Sequence, residues 1–137
     1  MKTMDNSTNP GYLLLFRGKD WDEDLSREEL QQIMNRFMTW SDGLSKSGKV
    51  KAGQALAREG KTVSAANGRI VADGPFAESK EAIGGYLVLQ VNSFDEALAI
   101  AKSCPGLDYG GTIEVRPLLE ECPVFKRAKE RLGLVTA

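Results

Sequence analysis

Two Ser-x-x-Glu boxes constrain this chain more than any other feature. In Ser26-Arg27-Glu28-Glu29 and in Ser93-Phe94-Asp95-Glu96, the serine hydroxyl can accept the amide of the glutamate three residues on. The carboxylate can return to the serine amide, so each box predicts a helix start. Each box also lies between strand-like runs. Residues 11–18, Gly-Tyr-Leu-Leu-Leu-Phe-Arg-Gly, are an apolar run bracketed by glycines and too short for a helix. After the first box, Leu30, Ile33, Met34, Phe37, Trp40 and Leu44 recur every three or four residues. That spacing predicts one apolar stripe packed into a core, with Gly48 as terminator.

Residues 50–57 form a weaker strand of small side chains. Residues 82–91 form a stronger one, with Leu87, Leu89 and Val91 on one face and Tyr86, Val88 and Gln90 on the other. The helix opened by Ser93 carries Phe94, Ala97, Leu98 and Ala101 and should stop at Pro105-Gly106. Thr112 to Pro117 then alternates, with Ile113 and Val115 inward.

The hairpin between them is read from Asn67-Gly68, a dipeptide that tolerates the positive φ angles of a type I′ turn. A two-residue loop there sets the register: Ala66 opposite Arg69, Ser64 opposite Val71 and Thr62 opposite Asp73. Asp73 then leaves the ladder where Gly74-Pro75 must break it.

Strand, helix, strand, hairpin, strand, helix, strand is the order of an α+β, ferredoxin-like domain with an extra β-hairpin. Two helices cover one face of such a sheet. The first strand is apolar on both faces, with Tyr12, Leu14 and Phe16 one way and Leu13, Leu15 and Arg17 the other, so the bare face needs cover. A homodimer with the two sheets facing each other around a shared cavity supplies it.

Composition narrows the chemistry. The chain has 137 residues, 18 basic and 19 acidic side chains, two cysteines and no histidine. A net charge of -1 gives no basic footprint for nucleic acid or an anionic membrane. Without histidine there is no Ser-His-Asp triad, Cys-His dyad or imidazole proton shuttle. Cys104 and Cys122 lack a metal-ligand spacing, so neither metal nor other cofactor is expected, and reduced thiols suit a cytoplasmic location. Residues 1–10 are expected to be a disordered tail without a signal core. Residues 11–120 make the single domain, and no membrane span is expected. Residues 121–137 form a C-terminal helical tail in which Lys126, Arg127, Lys129 and Arg131 are solvated or paired with a neighbour.

The densest cluster of functional groups is Asp73-Gly74-Pro75-Phe76-Ala77-Glu78-Ser79-Lys80-Glu81, followed by Gly84-Gly85-Tyr86. This segment resembles the signature of the DGPF-domain branch of the YCII-related proteins, with Ser79 in place of the usual threonine. The resemblance extends from residue 11 to residue 117 through Cys104-Pro105, Tyr109-Gly110-Gly111 and Ile113-Glu114-Val115-Arg116-Pro117. It implies a dimeric α+β barrel, a cytoplasmic bacterial-type protein and a cleft of unassigned activity. Relatives that use a His with an Asp match here only through Asp73. An association of the branch with sigma-factor genes implies a regulatory role.

Asp73 and Glu78 are the candidate catalytic carboxylates, one ionised and one protonated if the loop turns them toward a cavity. Lys80 could tune them or bind an anionic substrate. Arg17 and Tyr86, as polar tips on central strands, are the further candidate ligand-binding residues. Against this stands Asp-Gly-Pro as a plain turn, its aspartate capping local amides. Cys104 suits a buried small apolar residue rather than a nucleophile. Two functions remain open: a small-molecule binder or enzyme using carboxylate acid/base chemistry on an aromatic or anionic compound, and a non-catalytic regulatory module linked to sigma-factor-type transcription control.

Overall fold

The computed structural model describes residues 9–18, 21–66, 69–73 and 83–134. Residues 1–8 of the tail expected over 1–10, the Asn67-Gly68 turn itself and residues 74–82 lie outside them. The elements follow the predicted order: β1 (Tyr12–Arg17), α1 (Arg27–Lys46), β2 (Val50–Ala55), β3 (Thr62–Ala66), β4 (Arg69–Asp73), β5 (Ile83–Leu89), α2 (Phe94–Lys102), β6 (Thr112–Pro117) and α3 (Pro123–Arg131). A short 3-10 helix, Pro105–Tyr109, sits between α2 and β6. Pro105 and Gly106 therefore open a new turn after α2 ends.

Four strands form one antiparallel sheet in the order β2-β5-β1-β6. Each helix crosses over one intervening strand, α1 from β1 to β2 and α2 from β5 to β6, which is the ferredoxin-like connection. Strands β3 and β4 pair as a separate two-stranded sheet. Ala66 stands opposite Arg69, Ser64 opposite Val71 and Thr62 opposite Asp73, the register expected of a two-residue loop.

The first Ser-x-x-Glu box forms in full: Ser26 Oγ accepts the Glu29 amide at 3.1 Å and Glu29 Oε1 accepts the Ser26 amide at 2.9 Å. The second forms by half. Ser93 Oγ accepts the Glu96 amide at 3.0 Å, but Glu96 Oε1 takes the Asn92 amide at 3.3 Å, while its other oxygen meets Lys49 Nζ at 3.3 Å. A cation from the residue just before β2 thus holds a carboxylate that the local pattern assigned wholly to the cap.

The core lies on the helix side of the sheet. Leu14, Leu44, Leu89, Val91, Ala97, Ile100 and Ala101 are buried together, and Tyr12, Phe16, Trp40, Val50, Leu87, Ile113 and Val115 pack around them. Strand alternation explains the membership, since Leu14 faces Leu87 on one side and Val115 on the other. The opposite face carries Leu13, Leu15, Tyr86 and Val88, all half-buried within the subunit. Gly11 starts β1 at a φ of 107°, and a Cβ there would run into the Leu89 carbonyl, so only glycine lets the chain enter beside β5. Asn9 pins this entry by donating to Val91 O at 3.0 Å and accepting the Gly11 amide at 3.0 Å.

The α1 stripe is divided. Ile33 and Leu44 are buried and Phe37 and Trp40 half-buried, but Leu30 and Met34 are exposed. Ile33, between them in sequence, is fully buried, so the buried stripe is narrower than the periodicity predicted and Leu30 and Met34 lie at its solvent edge.

Candidate functional site

Where α1 crosses the sheet it stands off from β2 and β5, leaving a cavity of about 1110 Å³. Its sheet side is Phe16, Leu87 and Ile113 with Gly53 and Gly85, its helix side Phe37, Met38 and Trp40, and one end is closed by Cys104 and Gly106. Glycines where the register places helix-facing residues hold the floor low. Gly53 stands opposite Leu87, and a Cβ on it would come within 2.5 Å of Leu87 Cδ2.

An aromatic row runs through this region. Phe16 meets Trp40 edge-on at 6.4 Å, Trp40 meets Phe37 edge-on at 6.3 Å, and Trp21 stacks on Phe37 at 6.2 Å and on Tyr109 at 5.7 Å. These are favourable offset and T-shaped separations. Two polar contacts fasten α1 to the chain beyond α2: Trp40 Nε1 donates to Ser103 Oγ at 2.8 Å, and Arg36 pairs with Asp108 at 2.7 Å. The hydrogen bond that Arg36 donates to Asp108 raises the Arg36 pKa, keeping the guanidinium charged. Phe37 reaches the row because Gly106 has no side chain; a Cβ there would sit 3.1 Å from Phe37 Cζ.

Charged groups are sparse in the lining. Asp42 lies at the rim in an exposed pair with Lys46 at 3.0 Å. Polar neighbours at the mouth are Ser41, Ser45 and Gln54. Cys104 is buried, and that burial pushes its thiol pKa up, with a weaker opposing effect from the Gly106 backbone. It stays protonated near neutral pH and behaves as a small apolar group. Among the described residues, no cluster of three or more Cys, Asp or Glu could hold a metal ion.

The site residues expected from sequence are placed as follows. Arg17 pairs with Glu114 at 2.9 Å, and Glu114 also meets Arg116 at 3.5 Å. Tyr86 stands opposite Leu15 and Gln54. Both residues line the cavity, and strand alternation places them on the register positions of the sheet's other face. Asp73 is the last residue of β4, at the open end of the hairpin. Glu78 and Lys80 lie outside the described residues. The structure therefore brings Arg17 and Tyr86 to neighbouring strands.

Sequence reasoning missed the aromatic row. Phe37 and Trp40 were legible as a helix face, but nothing local links them to Trp21 or Tyr109, since stacking across loops leaves no periodic trace. Among the described residues, no helix is long and apolar enough to cross a membrane.

A family model described as the YCII-related domain matches residues 12–121. An uncharacterized protein of Rhizobium meliloti (strain 1021) is 35% identical over 100 residues, which is 68% of this chain and 78% of that protein. A solved structure of 5-chloro-2-hydroxyhydroquinone dehydrochlorinase from Burkholderia phenoliruptrix AC1100, in complex with 2,5-dihydroxybenzoquinone, is similar at 18% identity. It has a TM-score of 0.39, over 80% of this chain and 95% of that one.

Proposed function

Because the chain belongs to the YCII-related family, we propose that it is a cytoplasmic member of the DGPF branch that binds and transforms a small aromatic or anionic compound in the cavity under α1. The cavity wall carries this reading. A space of about 1110 Å³ bounded by Phe16, Trp40, Phe37 and Trp21 offers apolar faces and edges to a ring, with a few polar groups at the mouth to orient it.

The acid/base chemistry falls to Asp73 and Glu78, with Lys80 as the cation that tunes them or meets an anionic substituent. Glu78 and Lys80 stand six and four residues before Gly84 in the lining. The open sheet face, with Leu13, Leu15, Val88 and Tyr86, supports pairing with a second copy, which would bring Arg17 and Tyr86 into a shared space.

Trp21 and Trp40 make the test direct. Titrating small phenols, quinones and aromatic carboxylates should quench tryptophan fluorescence saturably, and Trp40→Phe should remove most of that signal. A panel that leaves the fluorescence and the melting temperature unchanged would remove the small-molecule reading. The second reading, a non-catalytic regulatory module linked to sigma-factor-type control, is favoured by the apolar side chains that α3 leaves in solvent.

A further inference from the structure

Helix α3 has no interior. None of its residues is buried, and Val124 and Phe125 are 62% and 69% exposed. With Ala128 and the following Leu132, 71% exposed, they form one row at helical spacing. A helix of nine residues is too short to persist in water on its own hydrogen bonds, so the row needs cover. Lys129 pairs locally with Glu121, but Lys126, Arg127 and Arg131, all exposed, have no ion-pair partner among the described residues.

A complementary surface stands on α1. Leu30, Met34 and Met38, four residues apart, make a second row that is 38%, 49% and 64% exposed. The chain entering α1 carries Asp22, Glu23, Asp24 and Glu28, also exposed and without an ion-pair partner among the described residues. The open sheet face is apolar too, but its charges are Arg17, Glu114 and Arg116, which offer the cations of α3 no acidic excess. Both rows are bare within one subunit, so α3 does not cover α1 of its own chain.

We propose that α3 of one subunit docks on the Leu30–Met34–Met38 row of a second copy, its basic flank against the acidic entry to that helix. Two such contacts, exchanged reciprocally, close a two-fold pair. Since Met38 also lines the cavity, the docked helix borders the cavity mouth and completes its wall. This contact is separate from a sheet-to-sheet pairing and independent of what the cavity binds.

Cys122, free and exposed at the N-cap of α3, provides the probe. Met34→Cys, and separately Leu30→Cys, places a thiol in the α1 row of the full chain. Mild oxidation should then give a covalent dimer on a non-reducing gel, which Cys122→Ser abolishes. Arg127→Glu with Arg131→Glu should also abolish it, and adding Glu23→Lys with Glu28→Lys should restore it. Circular dichroism confirms that each variant is folded. Three results would overturn the proposal: no dimer band from either α1 thiol, a yield indifferent to charge reversal, or cross-linking to Leu15→Cys on the sheet face in their place. Binding of the full chain to phosphatidylserine vesicles through α3, without the cross-link, would also overturn it in favour of a membrane surface.

Discussion

Trp40 Nε1 donates to Ser103 Oγ at 2.8 Å, a bond between residues 63 apart in sequence that fastens the middle of α1 to the cap of α2. Ser103 Oγ in turn donates to Ile100 O at 2.7 Å, so the indole is tied through one hydroxyl to the buried end of α2. Trp40→Phe keeps an aromatic ring and removes the donor. The expected cost is about 1 kcal/mol, read as a lower urea midpoint with an unchanged m-value. A cost near zero would mean that water replaces the bond.

The open sheet face gives a second prediction. Leu15 is central on that face, flanked by Tyr86 and Glu114. Light scattering should give more than the 15.0 kDa of one chain at micromolar concentration. Leu15→Glu should weaken self-association while leaving the far-ultraviolet spectrum unchanged, because Leu15 lies outside the buried core. A wild-type particle of one chain would remove the paired-sheet reading.

Cysteine reactivity should separate the two thiols. Cys122 is exposed and Cys104 buried. One equivalent of a thiol reagent should react promptly with native protein and the second only on unfolding. Burial raises the folded-state pKa of Cys104 above its unfolded value. The unfolded chain therefore loses this proton first as pH rises. The stability associated with the protonated thiol is complete below the unfolded pKa and is lost as pH climbs through the folded one. Cys104→Ala should flatten that alkaline decline.

Asp73 ends β4 opposite Thr62, at the point where the chain leaves the hairpin. If it only caps the turn, Asp73→Asn should cost at most about 1 kcal/mol and leave ligand binding unchanged. If it is a site carboxylate, the melting temperature should hold while turnover falls and its acid-side pH dependence flattens. The second outcome is expected, measured with whichever ring compound quenches the tryptophans.

Local interactions explain what was legible in advance. Ser26 and Glu29 meet within one helical turn, and the β3–β4 register follows from a two-residue loop. The faces of β1 and β5 follow from alternation alone. Each of these depends on residues close in sequence. Of the cavity wall only Phe37 and Trp40 were legible, as a helix face, and the motif that drew the site residues says nothing of where the cavity lies.

The remaining features needed the assembled chain. Periodicity marks an apolar face but not what stands opposite it, so it predicted Leu30 and Met34 in the core although both are exposed beside the buried Ile33. The Arg17–Glu114 pair joins residues 97 apart, and Glu96 divides itself between a cap and Lys49. The cavity exists because aromatic side chains hold α1 over strands lowered by Gly53 and Gly85. By itself the sequence determined the order of elements, the hairpin register and the strand faces, since those depend on backbone geometry and near neighbours. Only tertiary structure decided the cavity, its aromatic wall and the bare rows on α1 and α3, because each depends on distances between elements that no local pattern encodes.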